Sequence, residues 1–402
     1  MMDYGLLGEH LSHSFSKEIH EMLGAYSYDM FQVSPEKLPG FMSERNFRGL
    51  NVTIPYKKEI MRYLDEIDGP AKEIGAVNTV YMHDGKLCGA NTDYIGFLYM
   101  ADRCGIDFSG KKVLIMGTGG AGLMARKAAA DRGASQVLTA GRKGPVTYDS
   151  IPDDIRILVN ATPVGTYPDN GKTPLDISGF KNLEGVLDLI YNPAKTALLL
   201  QAEKAGIRFS CGLPMLVAQA TAAAEYFTGE KRYQKENEKI IDAIRKQMMN
   251  ITLIGMPGSG KSSLGRELAD CLGMAFADID CLIEKETGMP PGQVIEEQGE
   301  EAFRNIESRI LSRVSAQHGQ VIAAGGGAIL RSENRDAMRQ NGPVVFIRRN
   351  IDALETCGRP LSKDLETMYK KRLPLYESCS DFSISNNSSV TDALTELSAI
   401  HF

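Results

Sequence analysis

Positive charge is in short supply in this sequence, where 45 lysine and arginine residues stand against 51 aspartate and glutamate residues and leave a formal net charge of -6. Proteins that bind a phosphate backbone depend on clustered lysine and arginine for their affinity. We therefore expect no nucleic-acid partner.

Short cysteine pairs are also missing. The seven cysteines are odd in number and show no paired spacing of the zinc or redox type, and His10, His13 and His20 have no zinc-type pattern of cysteine or carboxylate beside them. We expect free thiols in a reducing compartment, and we place these histidines in a loop and on a helix surface.

Long apolar stretches are lacking as well. The N-terminus reaches Asp3, Glu9 and His10 almost at once, so it has no apolar core of a signal peptide, and no later stretch approaches ~20 uninterrupted apolar residues. The sequence therefore predicts a cytoplasmic protein without a membrane partner.

What the sequence does contain is an alternation of strands and amphipathic helices. This pattern is typical of parallel sheets covered by helices, so we predict the α/β class, and 402 residues suit two or three domains. Glycine-rich turns at 117–122 and 255–262 each follow an apolar run and precede a helical pattern, which indicates two nucleotide-binding units. Between them the polar stretch 231–250 predicts a helix, and we place the main boundary near Met249.

The second glycine turn is the stronger signal, because Gly255 to Ser262 satisfies G-x-x-x-x-G-K-S directly after an apolar strand at 251–254. In this motif backbone N–H groups surround the phosphates of ATP, the lysine reaches the β and γ oxygens, and the serine hydroxyl binds Mg²⁺. The residues predicted to bind ATP are Gly258, Ser259, Gly260, Lys261, Ser262 and Ser263, and Ser262 is also a predicted metal ligand.

Further motifs follow this phosphate loop. Ala277-Asp-Ile-Asp280 ends a second predicted strand, and carboxylates at alternate strand positions share a face, so both can point into one site. Downstream stand Gly299-Glu-Glu-Ala-Phe-Arg304-Asn-Ile-Glu307, Gly325-Gly-Gly327, Gly358-Arg-Pro-Leu361 and Arg372-Leu-Pro-Leu-Tyr-Glu377. Together these motifs resemble shikimate kinase from about residue 250 to the C-terminus.

That resemblance implies a P-loop kinase domain that uses ATP and Mg²⁺. It assigns Asp280 to the acceptor hydroxyl, and Arg304 and Arg372 to the substrate carboxylate, which a guanidinium fork matches bidentately. The other implied roles are backbone approach of the substrate at Gly326 and Gly327, metal support by Asp278 and a mobile catalytic, ATP-binding cation at Arg359. The segment 349–359 is short and lacks the additional lid arginine of longer family members.

The first glycine turn is weaker when taken alone. An apolar strand at 112–116 leads into a G-x-G-x-x-G turn, whose predicted pyrophosphate-binding residues are Gly117, Gly119, Gly120, Ala121 and Gly122. Where an NAD enzyme offers a carboxylate after the next strand, this chain has Arg142 and Lys143, and two cations favour the 2′-phosphate of NADP. The crossover 143–154 is short and broken by two prolines, so the usual Rossmann helix is not expected there.

Motifs on both sides of this turn make the identification specific. They are His13-Ser-Phe-Ser16, Asn51-Val-Thr-Ile-Pro-Tyr-Lys57, Gly75-Ala-Val-Asn-Thr79, Gly89-Ala-Asn-Thr-Asp93, Asn160-Ala-Thr-Pro-Val-Gly165, Asp188-Leu-Ile-Tyr-Asn-Pro193 and Gly212-Leu-Pro-Met-Leu-Val-Ala-Gln219. They resemble shikimate dehydrogenase over residues 1 to about 230. The resemblance implies a three-layer substrate-binding lobe at 1–95 and a Rossmann NADP-binding lobe with a returning helical segment at 96–249, ahead of the kinase domain at 250–402.

The same resemblance assigns residues to the first site. Lys57 and Asp93 form the implied catalytic pair, because a hydride that reaches a ketone leaves charge on oxygen, which a donor must protonate while a carboxylate fixes that donor. The implied substrate contacts are Ser14, Ser16, Thr53, Asn78, Asp93 and Gln219, and Tyr191 and Gly212 are implied to lie at the cofactor.

Together the two resemblances imply one bifunctional enzyme of the shikimate pathway. NADP(H) would serve the reduction of 3-dehydroshikimate to shikimate, and ATP would then phosphorylate the product, on the route to chorismate and aromatic amino acids. Two alternatives stay open: an NAD-dependent quinate/shikimate dehydrogenase fused to the kinase, and a sensor that binds shikimate and nucleotides without turnover. The oligomeric state, monomer or homodimer, is open too.

Overall fold

The chain forms two compact units in a computed structural model that describes residues 2–11, 15–141, 147–354 and 365–400. The first unit comprises Met1–Gly165, Thr173–Tyr191 and Leu198–Ala243, and the second comprises Thr166–Lys172, Asn192–Ala197 and Ile244–Phe402. The second unit therefore includes two short segments that precede its main part in the sequence.

The first unit begins with a six-stranded sheet in the order β2-β1-β3-β5-β6-β4. Its strands are β1 (Met2–Gly8), β2 (Tyr28–Gln32), β3 (Phe47–Val52), β4 (Glu66–Ile67), β5 (Thr79–His83) and β6 (Lys86–Ala90), and its helices are α1 (Phe15–Leu23), α2 (Leu38–Glu44) and α3 (Gly69–Ile74). β5 runs antiparallel to both β3 and β6. Asp84 and Gly85, with φ of 48° and 76°, form the tight hairpin that reverses the chain. The first sheet is therefore mixed, whereas the sequence pattern had indicated parallel pairing.

A second, five-stranded sheet follows, and all its strands are parallel in the order β11-β10-β9-β7-β8. Its strands are β7 (Lys112–Met116), β8 (Gln136–Ala140), β9 (Ile157–Asn160), β10 (Gly185–Asp188) and β11 (Arg208–Ser210); the helices are α4 (Thr92–Arg103), α5 (Gly120–Asp131), α6 (Ala197–Lys204), α7 (Leu213–Thr228) and α8 (Asn237–Met248). Val113 and Ile115 pack into one apolar cluster, whereas Leu114 and Met116 pack into another. Alternate side chains of β7 therefore fill two cores, as expected for a parallel strand covered on both faces.

The third sheet lies in the second unit and is also parallel, in the order β13-β14-β12-β15-β16. Its strands are β12 (Ile251–Ile254), β13 (Ala275–Asp278), β14 (Gln320–Ala323), β15 (Val344–Arg348) and β16 (Phe382–Ser385); the helices are α9 (Lys261–Leu272), α10 (Ile279–Thr287), α11 (Pro291–Gln298), α12 (Glu300–Ser315), α13 (Ser332–Arg339), α14 (Leu365–Cys379) and α15 (Val390–Ser398). The carboxyl ends of β12, β13 and β14 meet at one edge, which is where ligands bind in such sheets.

Two connections bear on the sequence predictions. The helix predicted between the two glycine turns is confirmed as α8, after a 3₁₀ turn at Tyr233–Glu236. The described part of the crossover, from residue 147 onward, has only a 3₁₀ turn at Tyr148–Ser150, so the missing Rossmann helix is confirmed for those residues. No helix among the described residues is long and apolar enough to cross a membrane.

His20 departs from its predicted surface position. It lies in α1 but is fully buried, and its ring stacks on Tyr28 with centroids 4.0 Å apart. Its Nδ1 lies 2.7 Å from the hydroxyl of Tyr26. Burial lowers the pKa of His20 to about 3, so the ring is neutral in the folded chain.

Candidate active sites

A cavity of about 250 Å³ in the first unit contains the predicted catalytic pair. Lys57 Nζ lies 2.6 Å from Asp93 Oδ2, and both side chains are only partly exposed. Lys57 follows β3 in a turn anchored by Tyr56, which is fully buried and donates its hydroxyl hydrogen to the carbonyl of Val33 at 2.6 Å. Asp93 lies in the first turn of α4, where the helix dipole favours a carboxylate. The chain thus holds an ammonium donor and its carboxylate partner at the edge of one cavity.

Asn78 is held rigidly in the wall of this cavity. Its Oδ1 accepts from the backbone N–H of Thr92 at 2.7 Å, and its Nδ2 donates to Thr92 Oγ1 at 3.1 Å. Asn51 also lines the cavity, accepts from the Tyr28 hydroxyl at 2.8 Å and donates to Thr79. The motif that contains Asn51 was recognised, but its individual role was missed because nothing in the sequence shows its bond to Tyr28.

Most of the other residues predicted for the first site line the same cavity, namely Ser16, Thr53, Tyr191, Gly212 and Gln219. Tyr191 and Gly212, which were predicted at the cofactor, are therefore brought together with Lys57 and Asp93. Position 212 requires glycine for steric reasons, since a Cβ added there would lie 2.1 Å from the carbonyl oxygen of Leu189. Ser14 lies outside the described residues.

The glycine turn after β7 leaves backbone open for a dinucleotide. Gly117 has φ of 115°, and a Cβ on Gly122 would lie 2.1 Å from the carbonyl oxygen of Gly117, so the helix packs tightly against the turn. Gly119 precedes α5 and Gly120 begins it, and a Cβ on either would meet nothing within 4 Å. This open helix N-terminus fits the approach of a pyrophosphate, and Ala121 beside it is exposed. Arg142 and Lys143 lie outside the described residues.

A larger cavity, about 420 Å³, occupies the second unit at the phosphate loop after β12. Gly255, Gly258 and Gly260 have φ of 147°, 79° and 92°, conformations that side chains with a Cβ rarely adopt. Lys261 begins α9 and donates to the carbonyls of Gly255 at 3.0 Å and Met256 at 2.9 Å. Gly258, Gly260, Lys261, Ser262 and Ser263 line the cavity, whereas Ser259 lies behind it with its side chain buried.

The two aspartates beside the loop are arranged differently from the prediction. Asp278 ends β13, but Asp280 lies in the first turn of α10, so the two do not alternate along one strand. Asp278 Oδ1 caps α10 by accepting from the N–H groups of Asp280 at 3.0 Å and Cys281 at 3.2 Å. The strand ends early because this cap starts the helix. Both carboxylates still line the cavity.

Oxygen donors for Mg²⁺ are present at this cavity. Ser262 and Asp278 both line it, and no cluster of three or more histidine, cysteine or carboxylate groups suited to a metal occurs among the described residues. A few oxygen ligands completed by phosphate and water oxygens are what Mg²⁺ usually accepts in nucleotide sites. The residues present therefore fit a nucleotide-bound Mg²⁺ rather than a separate metal centre.

The predicted anion-binding groups also line this cavity. Arg304 donates to Glu307 at 2.7 Å and to Glu300 at 3.2 Å, and a Cβ on Gly327 would lie 2.2 Å from Arg304 Nη2. Arg372 donates to the carbonyl of Gly326 at 3.1 Å. Two guanidinium groups thus meet a glycine-rich turn, which suits a small carboxylic acid. Arg359 lies outside the described residues.

Glu307 also lines this cavity, although the sequence motifs gave it no role. Its side chain is fully buried against Arg304, and burial raises the pKa of its carboxyl although the guanidinium opposes that shift. The spacing of three residues on a predicted helix was the available signal, because such pairs face each other. Glu307 fixes the direction of Arg304.

Comparisons with known proteins match both families that the sequence motifs resemble. Family models match the chain for the shikimate dehydrogenase substrate binding domain over residues 6–80 and for shikimate kinase over residues 257–400. A shikimate dehydrogenase (NADP(+)) of Clostridium beijerinckii is 37% identical over 246 residues, which span 55% of this chain and 90% of that protein.

Solved structures resemble the first part of the chain. A chorismate mutase/shikimate 5-dehydrogenase fusion protein from Clostridium acetobutylicum is 32% identical, with a TM-score of 0.58 over 60% of this chain and 97% of that one. The shikimate 5-dehydrogenase of Thermus thermophilus in complex with NADP(H) and shikimate is 34% identical, with a TM-score of 0.54 over 60% of this chain and 99% of that one.

Proposed function

The chain belongs to the shikimate dehydrogenase family and carries a shikimate kinase domain in addition, and on this premise we propose that it catalyses two consecutive steps towards the aromatic amino acids. NADPH reduces 3-dehydroshikimate to shikimate in the first step, and ATP phosphorylates shikimate in the second. We further propose that the chain acts in the cytoplasm, as a monomer or a homodimer.

In the first reaction Lys57 acts as the proton donor. NADPH, when bound at the turn that begins with Gly117, supplies the hydride for the ketone carbon. Lys57, held 2.6 Å from Asp93, protonates the oxygen as negative charge develops on it. Asp93 keeps the ammonium group in place and contacts the substrate. The substrate is oriented by Ser14, Ser16, Thr53, Asn78 and Gln219.

In the second reaction the chain mainly positions groups and neutralises charge. Arg304 and Arg372 hold the carboxylate of shikimate, and the glycines beside them let it approach the backbone. Asp280 orients the acceptor hydroxyl, while Lys261 meets the terminal phosphates of ATP. Ser262 and Asp278 would hold Mg²⁺, which would neutralise negative charge on the phosphates during transfer.

One observation carries this proposal: a single chain has an ion-paired lysine in one cavity and, in another, a phosphate loop together with three carboxylates and three arginines. The test assays one purified preparation twice, with 3-dehydroshikimate and NADPH, and with shikimate and Mg-ATP. We expect turnover in both assays. Binding of shikimate and nucleotides without turnover would support the sensor hypothesis instead.

The preference for NADPH or NADH distinguishes the proposed NADP-dependent enzyme from an NAD-dependent quinate/shikimate dehydrogenase. If Arg142 and Lys143 contact the 2′-phosphate, NADPH should be strongly preferred, because each charge-assisted hydrogen bond contributes about 1.5 kcal/mol or more. Comparable kcat/KM with NADH would instead indicate the NAD-dependent quinate/shikimate dehydrogenase.

A further inference from the structure

We propose that Arg349, for which the sequence motifs gave no role, is a further nucleotide-binding residue that contacts the phosphate chain of ATP together with Lys261. The proposal rests on the proposed kinase function. It concerns a residue outside the phosphate loop, at the start of the short segment 349–359 and at the opposite end of that segment from Arg359.

Arg349 lies directly beside the phosphate loop. It follows the last residue of β15, and β15 pairs with β12, the strand that leads into the loop. The two are in close contact, since a Cβ on Gly255 would lie 2.6 Å from the carbonyl oxygen of Ile347. Arg349 Nη1 donates to the carbonyl of Gly258 at 3.3 Å, and the side chain lines the cavity. A central strand therefore delivers this cation to the phosphate site.

The bonding capacity of Arg349 is largely unused. Its Nε is buried and has no hydrogen-bond partner among the described residues, and none of the described carboxylates forms an ion pair with it. A guanidinium group has five N–H donors, and burying them without acceptors is unfavourable. Arg304 in the same cavity is held by two carboxylates, so it differs in this respect. An anion in the loop would supply the missing acceptors.

Lys261 and Arg349 approach the loop from different elements. Lys261 begins α9 and donates to the carbonyls of Gly255 and Met256, whereas Arg349 extends from β15 to the carbonyl of Gly258. Asn386 fixes the loop between them by donating to the carbonyl of Ser259 at 2.8 Å. Two cations at one phosphate chain stabilise the charge that shifts during transfer, and a strand end holds its cation with little rearrangement.

The test compares Arg349→Gln with Arg348→Gln. Arg348 is the adjacent residue, but its guanidinium group is occupied by Glu377 at 2.8 Å and by Ser383 at 2.7 Å, outside the cavity. We expect Arg349→Gln to lower kinase kcat/KM for ATP about 10- to 100-fold, and Arg349→Lys to recover part of the loss. Arg348→Gln should change kinase kcat/KM for ATP by less than about twofold. NADPH-dependent reduction by the same preparations serves as the folding control.

Binding constants for adenosine, AMP, ADP and ATP distinguish phosphate contact from a structural role. For a phosphate contact the loss in Arg349→Gln grows with the number of phosphates, while the melting temperature stays near that of Arg348→Gln. An equal loss for all four ligands, or unchanged ATP binding, would overturn the proposal. If the unsubstituted chain binds ATP but does not phosphorylate shikimate, the proposed kinase function fails, and the binding series still decides the role of Arg349.

Discussion

At the scale of single residues, the proposed mechanism gives two lysines two different reactions. In it Lys57 protonates a developing alkoxide and Lys261 meets the terminal phosphates of ATP, so each should be needed in its own site alone. We expect Lys57→Ala to lower the reduction rate by about 10²- to 10⁴-fold while kinase turnover stays within about twofold. Lys261→Ala should lower kinase turnover strongly while the reduction rate stays within about twofold. Both rates are measured on each variant.

Lys58 provides the matched control for Lys57, because it is the next residue, is exposed and does not line the cavity. Lys58→Ala should leave both rates unchanged. Near-normal reduction by Lys57→Ala would show that another group, such as Asp93 or a water chain, donates the proton.

The sequence allowed much of each site to be predicted at this scale, but only where a motif names the residue. Lys57, Asp93, Asp280 and the two substrate arginines were predicted individually, and each lines the expected cavity. Glu307 was left without a role although its spacing of three residues from Arg304 was a signal. Asn51 and Arg349 were not predicted, because their roles depend on contacts with residues far away in the sequence or on the pairing of strands. Motif spacing carries no information about such contacts.

At the scale of elements, Asp278 both caps α10 and faces the nucleotide cavity. Asparagine caps helices about as well as aspartate does, whereas alanine loses ~1 kcal/mol of stability. We expect Asp278→Asn to keep the melting temperature but to weaken apparent Mg²⁺ affinity in the kinase assay about tenfold or more. Asp278→Ala should lower the melting temperature and also weaken apparent Mg²⁺ affinity. Equal Mg²⁺ dependence in Asp278→Asn and the unsubstituted chain would show that Asp278 is a cap only.

His20 ties α1 to the first sheet, and its burial makes stability depend on pH. The pKa is lowered to about 3 in the folded chain, whereas an unfolded histidine titrates near 6.5. The unfolded chain therefore takes up a proton first, and stability present above pH ~6.5 is lost as the pH falls towards ~3. Between pH 7 and 5, protonation of His20 in the unfolded chain should lower the free energy of unfolding by about 2 kcal/mol.

The His20→Gln variant tests this titration, since its side chain stays neutral. Urea unfolding at pH 7 and 5 should show a smaller loss of unfolding free energy for His20→Gln than for the unsubstituted chain. His83→Gln is the control, because His83 is exposed. The same pH dependence in all three proteins would show that the titration of His20 does not cause the loss of stability.

Elements were predictable where periodicity and glycine turns set them. The strands before both glycine turns and helix α8 occur as expected. The antiparallel β5 was missed although Asp84-Gly85 is a hairpin signal, because the general alternation of strands and helices was given more weight. Asp280 was misplaced because a capping aspartate and a strand end look alike in sequence.

At the scale of the whole molecule, the second unit contains more than the predicted domain 250–402. Its segments 166–172 and 192–197 are bonded to Gln340 and Asn341: Asn170 and Gln340 exchange two hydrogen bonds, and Ala194 donates to Asn341 at 2.9 Å. Lys195 donates to the carbonyl of Gln340 at 2.8 Å. A fragment of residues 244–402 lacks all these bonds.

We expect that fragment to fold and to phosphorylate shikimate, but with reduced stability. At about 1 kcal/mol for each lost bond, its kinase activity should fail at a urea concentration roughly 1 M or more below that of the intact chain. Asn170→Ala in the intact chain should shift the midpoint in the same direction by less. An unchanged midpoint in the fragment would show that the two segments do not support the unit.

Deuterated NADPH tests whether one chain acts twice on the same oxygen of one substrate. The intact enzyme is given 3-dehydroshikimate, Mg-ATP and NADPH that carries deuterium at the transferred position, and the product is analysed by mass spectrometry and NMR. We expect shikimate 3-phosphate with deuterium on the carbon that bears the phosphate, because Lys57 protonates the oxygen that Asp280 later presents to ATP. Deuterated shikimate without phosphate, or phosphate on a carbon without deuterium, would contradict the account.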